Sequence, residues 1–358
     1  MMRARNPIAL TDTEYKILLA IPRSRSYAEI SRTSGVSISY VSRKMEELYG
    51  RGFRVRGVFD LEALGLSRVT ILSEFDPEIY SPPSPVRIPY ILRMARVWRG
   101  KNSLLFIYAA VPQGMEETFG DILGLEGMLR RVEMTAQWRI DTGRLMELRD
   151  GIPFSNYERL PEILDYVEPY EPSANESRVP DTIDTWLIAT LMKNPFSKLA
   201  GILSQIGIKQ QIASYHLSRH VQQFLLYNVV RIKYRVHPPY RLIIARPARG
   251  EEKRLAKALA EAPAIYEAHV LEDGSVVALH RTTKEEEYWL YGSLIDLGVV
   301  EDYEEVGLVL EDPKAFTTPY GDVVTEKSWT LDPLYMAMRA IKKKKRRLNY
   351  SFGVYELD

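Results

Sequence analysis

The sequence predicts an α+β protein made of two winged helix-turn-helix units, each followed by a ferredoxin-like βαββαβ domain. The first observation is a pattern of three short helices with a glycine before the third, at Gly35 and again at Gly207. The second is that strand-like runs, alternating apolar and polar residues, follow each pattern. The third is a nearly constant offset, 172 residues between these glycines and 174 between Gly100 and Gly274. We therefore interpret the chain as a tandem repeat.

The first half opens with a helix at TDTEYKILLAI, which Thr11 or Asp12 is placed to cap. A second helix is predicted at SYAEISRTS, and a third from Ile38 to about Tyr49. The runs FRVRGVFD and SRVTILSEF have the alternation and β-branched content of strands. A proline-rich stretch follows, and it leaves only a short helix near residues 90–94.

The second half repeats this order, with helices predicted at PDTIDTWLIATLMKNP, SKLAGILSQI and KQQIASYHLSRHVQQFL. Strands are predicted at VVRIKYRV and YRLIIARP, and a hairpin turns at Asp273-Gly274. The predicted domains are 1–60 (winged helix), 61–141 (ferredoxin-like), 142–180 (linker with one short helix), 181–237 (second winged helix), 238–312 (second ferredoxin-like domain) and 313–358 (helix and basic tail).

The composition, 46% hydrophobic and 27% charged, is that of a globular protein with no membrane-spanning run. The N-terminus lacks the apolar core of a signal peptide, so we expect a cytoplasmic protein without membrane contact. The absence of cysteine excludes disulfides and thiolate metal sites. His216 and His220 have the spacing of a helical metal pair, but no acidic residue is near them in sequence. We therefore predict neither a metal site nor a cofactor.

Charge is distributed unevenly along the chain and points to a polyanionic partner. Residues 1–57 hold eleven Lys and Arg against five Asp and Glu, and residues 181–236 hold seven against two. Residues 250–312 hold five against sixteen. Basic third helices with polar outer faces favour recognition of double-stranded DNA over use of these units for protein contact.

The predicted DNA-binding residues lie on the two third helices and on the strands after them, as wing contacts to phosphate. They are Ser37, Ser39, Tyr40, Ser42, Arg43, Lys44, Arg54, Arg56, Lys209, Gln210, Gln211, Ser214, Tyr215, His216, Arg219, Arg231 and Lys233.

The first half resembles the Lrp/AsnC family of transcriptional regulators. The resemblance runs through LTDTEYKILLAI, SGVSISYVSRKMEELYGRGF and VRGVFDLEALGLSRVTIL, over about residues 10–141. It implies a winged helix with a ferredoxin-like effector domain, pairing through the sheets, and sequence-specific DNA binding. The family's aspartate after the effector-loop glycine is missing after both Gly100 and Gly274, so no effector residues are assigned.

A tandem chain of this kind would act as a covalent pseudo-dimer on an asymmetric DNA site. The sequence does not exclude homo-oligomers that form through the ferredoxin-like sheets. The expectation is a regulator and not an enzyme. One alternative is a siroheme decarboxylase-like enzyme, which the same architecture resembles and which would use His269, His280 and Arg281 between the sheets. The other is an architectural protein that binds DNA without sequence preference, for which the basic run at 342–347 is typical.

Overall fold

A computed structural model of the chain describes residues 9–165, 177–198, 207–232, 239–325 and 328–343. Its helices are α1 Asp12–Ala20, α2 Tyr27–Ser34, α3 Ile38–Gly50, α4 Pro77–Tyr80, α5 Glu116–Leu123, α6 Leu160–Asp165, α7 Thr182–Lys193, α8 Gln210–His216, α9 Glu252–Leu259, α10 Lys284–Asp296 and α11 Asp332–Lys343. Its strands are β1 Phe53–Phe59, β2 Leu66–Glu74, β3 Ile91–Arg99, β4 Asn102–Pro112, β5 Gly127–Ala136, β6 Met146–Arg149, β7 Ile152–Ser155, β8 Leu225–Ile232, β9 Tyr240–Pro247, β10 Ile265–Leu271, β11 Val276–His280, β12 Val300–Val309, β13 Lys314–Ala315, β14 Val324–Thr325 and β15 Ser328–Trp329.

The three helices of the first winged unit form as the sequence predicts. Thr11 caps α1 in a capping box with Glu14, which satisfies two free amide groups at the helix start. Gly35 ends α2 in the left-handed conformation, with φ of 71°, and so allows the turn into α3. The apolar faces of the three helices form one core, to which the buried side chains of Ile17, Val41 and Met45 belong.

Among the described residues, neither wing strand pairs with the strand that follows it in its own unit, β1 with β2 or β8 with β9. Instead, β1 of the first half pairs antiparallel with β8 of the second, from Phe53 opposite Ile232 to Phe59 opposite Leu225. The two halves are therefore joined by a ribbon. A Cβ on Gly57 would lie 2.8 Å from the carbonyl oxygen of Leu191 in α7, so only glycine allows this close approach.

The two ferredoxin-like domains share one continuous sheet, in the order β12-β9-β11-β10-β5-β2-β4-β3, and the two-residue β13 extends it beside β3. Each half contributes four neighbouring strands, and β10 joins β5 at the boundary. The sheet also closes at its far edges, where Leu308 of β12 pairs with Trp98 of β3. The structure confirms the predicted fold class.

Three stretches differ from the sequence prediction. The short helix expected at residues 90–94 is the start of β3, and only the four-residue α4 precedes it. The predicted linker contains the hairpin β6–β7, whose Met146 packs against the core of the first winged unit, before α6. In the second winged unit, α8 passes into a π-helical turn at Leu217–Val221.

Some predictions fall outside the described residues. They are the helix at SKLAGILSQI, from residue 199 onward, Lys233, and the basic tail from residue 344. Among the helices that the structure describes, none has the length and apolar character needed to cross a lipid bilayer.

Candidate active site

A cavity of about 930 Å³ lies between the ribbon and one face of the shared sheet. The ribbon contributes residues of β1 and β8, and the sheet contributes residues of β2, β3, β4 and β5. The segment after β5 and the end of α9 close the remaining side. Its size is at the upper end of the range that small-molecule and cofactor sites occupy.

Basic side chains dominate the charged part of the wall. The eight cationic residues are Arg23, Arg56, Arg68, Arg93, Arg139, Arg144, Arg231 and Lys257. The four acidic residues are Asp60, Glu62, Asp141 and Glu261. Apolar side chains supply most of the rest, among them Leu92, Met134 and Phe316. The excess of cations over anions, next to apolar surface, favours an anionic ligand that also has apolar area.

Part of the positive charge is held in place by ion pairs within the wall. Asp141 lies 2.6 Å from Nη2 of Arg139 and 3.4 Å from Nε of Arg23. Arg68 pairs with Glu62. These pairs fix the guanidinium planes, and each guanidinium has five N–H donors, more than one carboxylate uses.

Three arginines surround the phenol of Tyr266, just behind the cavity wall. Nη1 of Arg93 donates to the phenol oxygen at 2.5 Å, and Nη1 of Arg56 donates to it at 3.1 Å. The guanidinium of Arg231 stacks over the ring, 4.2 Å from its centre. Burial alone would raise the pKa of Tyr266, but Arg93, Arg56 and Arg231 outweigh it and lower the pKa to about 8. This phenol therefore ionises in weakly alkaline solution, below the pH range of an ordinary tyrosine.

A buried ion pair connects this group to the second half. Nε of Arg93 lies 2.6 Å from Oε1 of Glu267, and the glutamate side chain has no exposed area. Burial would raise the pKa of Glu267, yet Arg93 and, less strongly, His269 bring the pKa down to about 2. The glutamate is therefore ionised throughout the physiological range.

A chain of hydrogen bonds leads from His269 to the cavity wall. Nδ1 of His269 lies 3.0 Å from Oγ1 of Thr135, which lies 3.2 Å from the hydroxyl of Tyr108. Thr135 and Tyr108 both line the cavity, whereas His269 is buried behind them. The Tyr108 ring also packs on the imidazole, with centroids 4.4 Å apart. Burial raises the pKa of the Tyr108 phenol, which keeps its proton at neutral pH.

Two β-bulges place these groups. In β10 the pairing to β11 shifts between Ile265 and Glu267, so Tyr266 is the extra residue. In β3 the pairing to β4 shifts between Ile91 and Arg93, so Leu92 is the extra residue. A bulge re-aims side chains out of strict alternation, and bulges are common beside active sites.

Of the three residues of the predicted enzyme alternative, only His269 belongs to this network. His280 is fully buried, its Nδ1 lies 2.7 Å from Oγ1 of Thr282, and it does not line the cavity. Burial, Arg241 and Lys284 lower the pKa of His280 to about 3, so it stays neutral. Arg281 pairs with Asp312 at 2.6 Å, outside the cavity wall.

The predicted DNA-reading residues of the first unit lie along α3. Ser37, Ser39 and Arg43 are exposed, and Tyr40 and Ser42 are half-buried. Lys44 pairs with Glu47 and lies 3.7 Å from Glu14, so its charge is largely compensated. Their role in DNA binding remains a prediction.

The second unit presents a similar set on α8 and on the turn after it. Its exposed members are Lys209, Gln210, Gln211, Ser214, Tyr215 and Arg219. His216, predicted to face a DNA groove, points inward instead, with Nδ1 2.8 Å from Oδ1 of Asp184. The imidazole of His216 therefore lies against the start of α7 and not on the exposed face of α8.

The predicted wing contacts are placed differently. Arg56 and Arg231 line the cavity because β1 and β8 pair with each other. Arg54 donates to the carbonyl oxygens of Tyr49 and Phe53 at 2.7 and 2.8 Å. Arg93 and Tyr108 of the cavity wall, and the buried Glu267 beside Arg93, were not predicted, although charged residues within apolar strands were a visible signal.

No family model matches the sequence, and no curated protein matches it. The crystal structure of the siroheme decarboxylase NirDL matches over 92% of this chain and 98% of its own, with a TM-score of 0.45 and 12% identity. NirDL in complex with an iron-uroporphyrin III analogue matches over 93% and 99%, with a TM-score of 0.45 and 11% identity. The Mycobacterium tuberculosis leucine response regulatory protein LrpA matches over 35% of this chain and 93% of its own, with a TM-score of 0.23 and 18% identity.

These matches correct one expectation. The sequence predicted a regulator and not an enzyme, whereas both NirDL structures, which match over nearly the whole chain, are structures of an enzyme.

Proposed function

We propose that the chain is an enzyme that removes carboxyl groups from a polycarboxylated tetrapyrrole of the siroheme type, bound in the basic cavity. The observation that carries the proposal is the wall itself, with seven arginines and one lysine around about 930 Å³. A tetrapyrrole of this type has a flat apolar ring and carboxylates around its rim. Guanidinium groups match carboxylates with two parallel hydrogen bonds, and the apolar wall residues suit the ring.

It is the charge of this cavity, and not the likeness to NirDL, that supports the proposal. Carboxylates of a ligand would meet cations from several elements, with Arg93 on β3, Arg231 on β8, and Arg139 and Arg144 in the segment after β5. A ligand with a single carboxylate would leave most of these cations without a new partner. A rim of carboxylates is therefore the charge pattern that fits best.

The reaction breaks the bond between a side-chain methylene and its carboxylate carbon. Carbon dioxide leaves, the electron pair stays on the methylene carbon and delocalises into the ring, and a proton then converts the methylene into a methyl group. The protein must hold the carboxylate in place and supply that proton.

Tyr108 is the proposed proton donor. Its hydroxyl lies in the cavity wall, its raised pKa keeps it protonated, and Thr135 connects it to His269. After donation, the buried imidazole is placed to return a proton through the threonine hydroxyl. The Glu267 carboxylate, 3.5 Å from Nε2 of His269, holds the ring from the other side.

The test is incubation of the full chain with siroheme under anaerobic conditions, followed by mass spectrometry of the tetrapyrrole. We expect products that have lost one and then two molecules of carbon dioxide, and a shifted siroheme absorption spectrum on binding. Arg139→Gln should weaken binding, while Arg99→Gln, at the exposed end of β3 and outside the cavity, should not. An unchanged spectrum together with unchanged siroheme would overturn the proposal.

A second candidate function is recognition of double-stranded DNA through α3, which the exposure of Ser37, Ser39 and Arg43 favours. Exposed Glu46 and Glu47 on the same helix reduce the positive charge of that face. Selection from sheared genomic DNA at about physiological salt tests this candidate, because a specific binder retains preferred sites that a phosphate-driven binder does not. Peaks that share an asymmetric motif would support it, and no recovery would remove it.

A further inference from the structure

Four metal-ligating side chains meet in the second winged unit, away from the cavity. Asp181 and Asp184 lie at the start of α7, and His216 and His220 lie on α8 and the π-helical turn after it. Their nearest ligand atoms all lie within 4.8 Å of one another. From the sequence alone the histidine pair predicted no metal site, because no acidic residue is near it in the chain. The fold supplies two of them from about thirty residues upstream.

The two aspartates each keep one oxygen outside the capping box of α7. In the capping box of α7, Oδ1 of Asp181 accepts the amide of Asp184 at 2.9 Å, and Oδ2 of Asp184 accepts the amide of Asp181 at 3.3 Å. The other two oxygens point at the histidines. Nδ1 of His216 lies 2.8 Å from Oδ1 of Asp184 and 3.4 Å from Oδ2 of Asp181.

The imidazole of His220 is a second, independent indication that the cluster binds a ligand. Its Nδ1 is buried and makes no hydrogen bond, although it faces the cluster, 3.4 Å from Oδ1 of Asp184. The π-helical turn at Leu217–Val221 sets its direction, and turns of this kind are frequent at functional sites. A buried polar atom left without a partner is costly unless something else binds it.

Two of the donor separations match those around a small tetrahedral ion, and the remaining donors, all within 4.8 Å of one another, would draw together around it. Metal–ligand bonds of about 2.0–2.1 Å in a tetrahedron place neighbouring donors about 3.3 Å apart. Both 3.4 Å separations in the cluster have this length, and the 2.8 Å separation would open slightly when a metal replaces a shared proton. Two carboxylates also balance the two charges of a divalent ion.

We propose that Asp181, Asp184, His216 and His220 form a four-coordinate site for a divalent transition metal, with Zn²⁺ as the preferred ion. Two imidazole nitrogens suit zinc and its neighbours, whereas Mg²⁺ and Ca²⁺ take six or more oxygen ligands. The ion would fasten the third helix of the second winged unit onto the start of α7. It would therefore set the orientation of the exposed α8 face.

This site is independent of the proposed reaction, because none of its four residues lines the basic cavity. A failure of one proposal therefore leaves the other intact. Decarboxylation by a variant of this cluster is expected to be unchanged.

The test uses the full chain without an affinity tag, stripped with a chelator and titrated with Zn²⁺ and, separately, with Co²⁺. We expect one ion per chain, a higher Tm in zinc, and the intense visible absorption that tetrahedral Co²⁺ gives and octahedral Co²⁺ does not. His220→Gln should weaken zinc binding by about a hundredfold or more, because a four-ligand site loses one donor. Arg219→Gln is the matched control, since this neighbouring exposed side chain contributes no ligand.

Three results would overturn the proposal. They are far less than one ion per chain, a Co²⁺ spectrum of octahedral type, or equal zinc affinity in His220→Gln and wild type. His216→Gln guards against misfolding of the first variant, because it removes a different ligand. If both variants lower Tm equally with and without zinc, and neither changes zinc binding, the cluster is a hydrogen-bonded helix cap only.

Discussion

The two ferredoxin-like domains differ most where the repeat makes them equivalent. Arg93 and Glu267 each follow a β-bulge in the second strand of their domain, and they are 174 residues apart, like Gly100 and Gly274. In a symmetric homodimer both positions would hold the same residue, and like charges would meet. Here the halves have diverged, so that a cation and an anion contact each other at 2.6 Å.

The neighbouring positions diverge in the same direction. Tyr266 in the second half corresponds to Leu92 in the first. The strand partner of Arg93 is Tyr108, and the strand partner of Glu267 is Leu279, so these two positions also correspond. Each half therefore supplies polar side chains that the other half lacks at the equivalent positions. Covalent duplication allows one asymmetric site per chain where a homodimer would have two identical ones.

The largest effect is expected from removing one charge of the buried Arg93–Glu267 ion pair. Glu267→Gln leaves Arg93 buried without its counter-charge, which we expect to cost about 3–5 kcal/mol in the free energy of unfolding. Urea unfolding measures the loss. The double variant Arg93→Gln with Glu267→Gln is the matched control, and it should recover much of the loss. A single variant that loses less than about 1 kcal/mol would show that the pair is not important for folding.

The same pair has a pH dependence of definite sign. Because the pKa of Glu267 falls from 4.5 to about 2 on folding, its stabilising contribution is complete above pH 4.5. The contribution is lost as the pH falls towards 2. Wild type should therefore lose stability over that window more than the double variant does.

A variant of Tyr108 tests whether this first-half residue donates the proton that completes decarboxylation. Tyr108→Phe should lower kcat for decarboxylation by about a hundredfold and leave KM nearly unchanged, since general acid catalysis is typically worth at least that much. Tyr288→Phe, an exposed tyrosine on α10, is the control. Equal rates for the two variants would exclude Tyr108 as the donor.

DNA affinity measures whether the first winged unit contributes to a DNA interface. If α3 reads duplex DNA, Arg43→Ala with Lys44→Ala should weaken binding at least about tenfold through the lost charge contacts. Arg99→Ala with Lys101→Ala removes the same charge from the end of β3 and the turn after it, outside the winged units, and serves as the control. Unchanged affinity in the folded α3 variant would remove the first unit from any DNA interface.

The smallest effect expected is the titration of one phenol. Ultraviolet absorbance should show a single tyrosinate forming near pH 8 in wild type and not in Tyr266→Phe. Since the pKa lies below the ordinary 10.0, ionisation stabilises the folded state increasingly as the pH rises above 8. The added negative charge should also weaken tetrapyrrole binding over the same range. Tyr335→Phe, an exposed tyrosine, should keep the step.

Much of the fold was predictable because it depends on local signals. The cap at Thr11, the left-handed Gly35 and the drifting offset between halves are all visible in the sequence. The site was not, because it depends on pairing between distant strands. Arg56 and Arg231 were expected on separate wings, and only the joining of β1 to β8 brings them to one cavity.

Side-chain direction was the other obstacle. A bulge at Tyr266 breaks the strict alternation on which strand predictions depend, so its approach to Arg93 has no sequence signature. The metal-ligand cluster was missed for a related reason, because Asp184 and His216 come together only when α7 packs beside α8.

The most direct test of an asymmetric site built by both halves is the binding stoichiometry of siroheme, followed by absorption during titration of the full chain. One tetrapyrrole per chain, with binding weakened by Arg139→Gln in the first half and by Arg231→Gln in the second, is the predicted result. Two tetrapyrroles per chain would mean that each half has its own site, and no saturable binding would mean that the basic cavity is not a tetrapyrrole site.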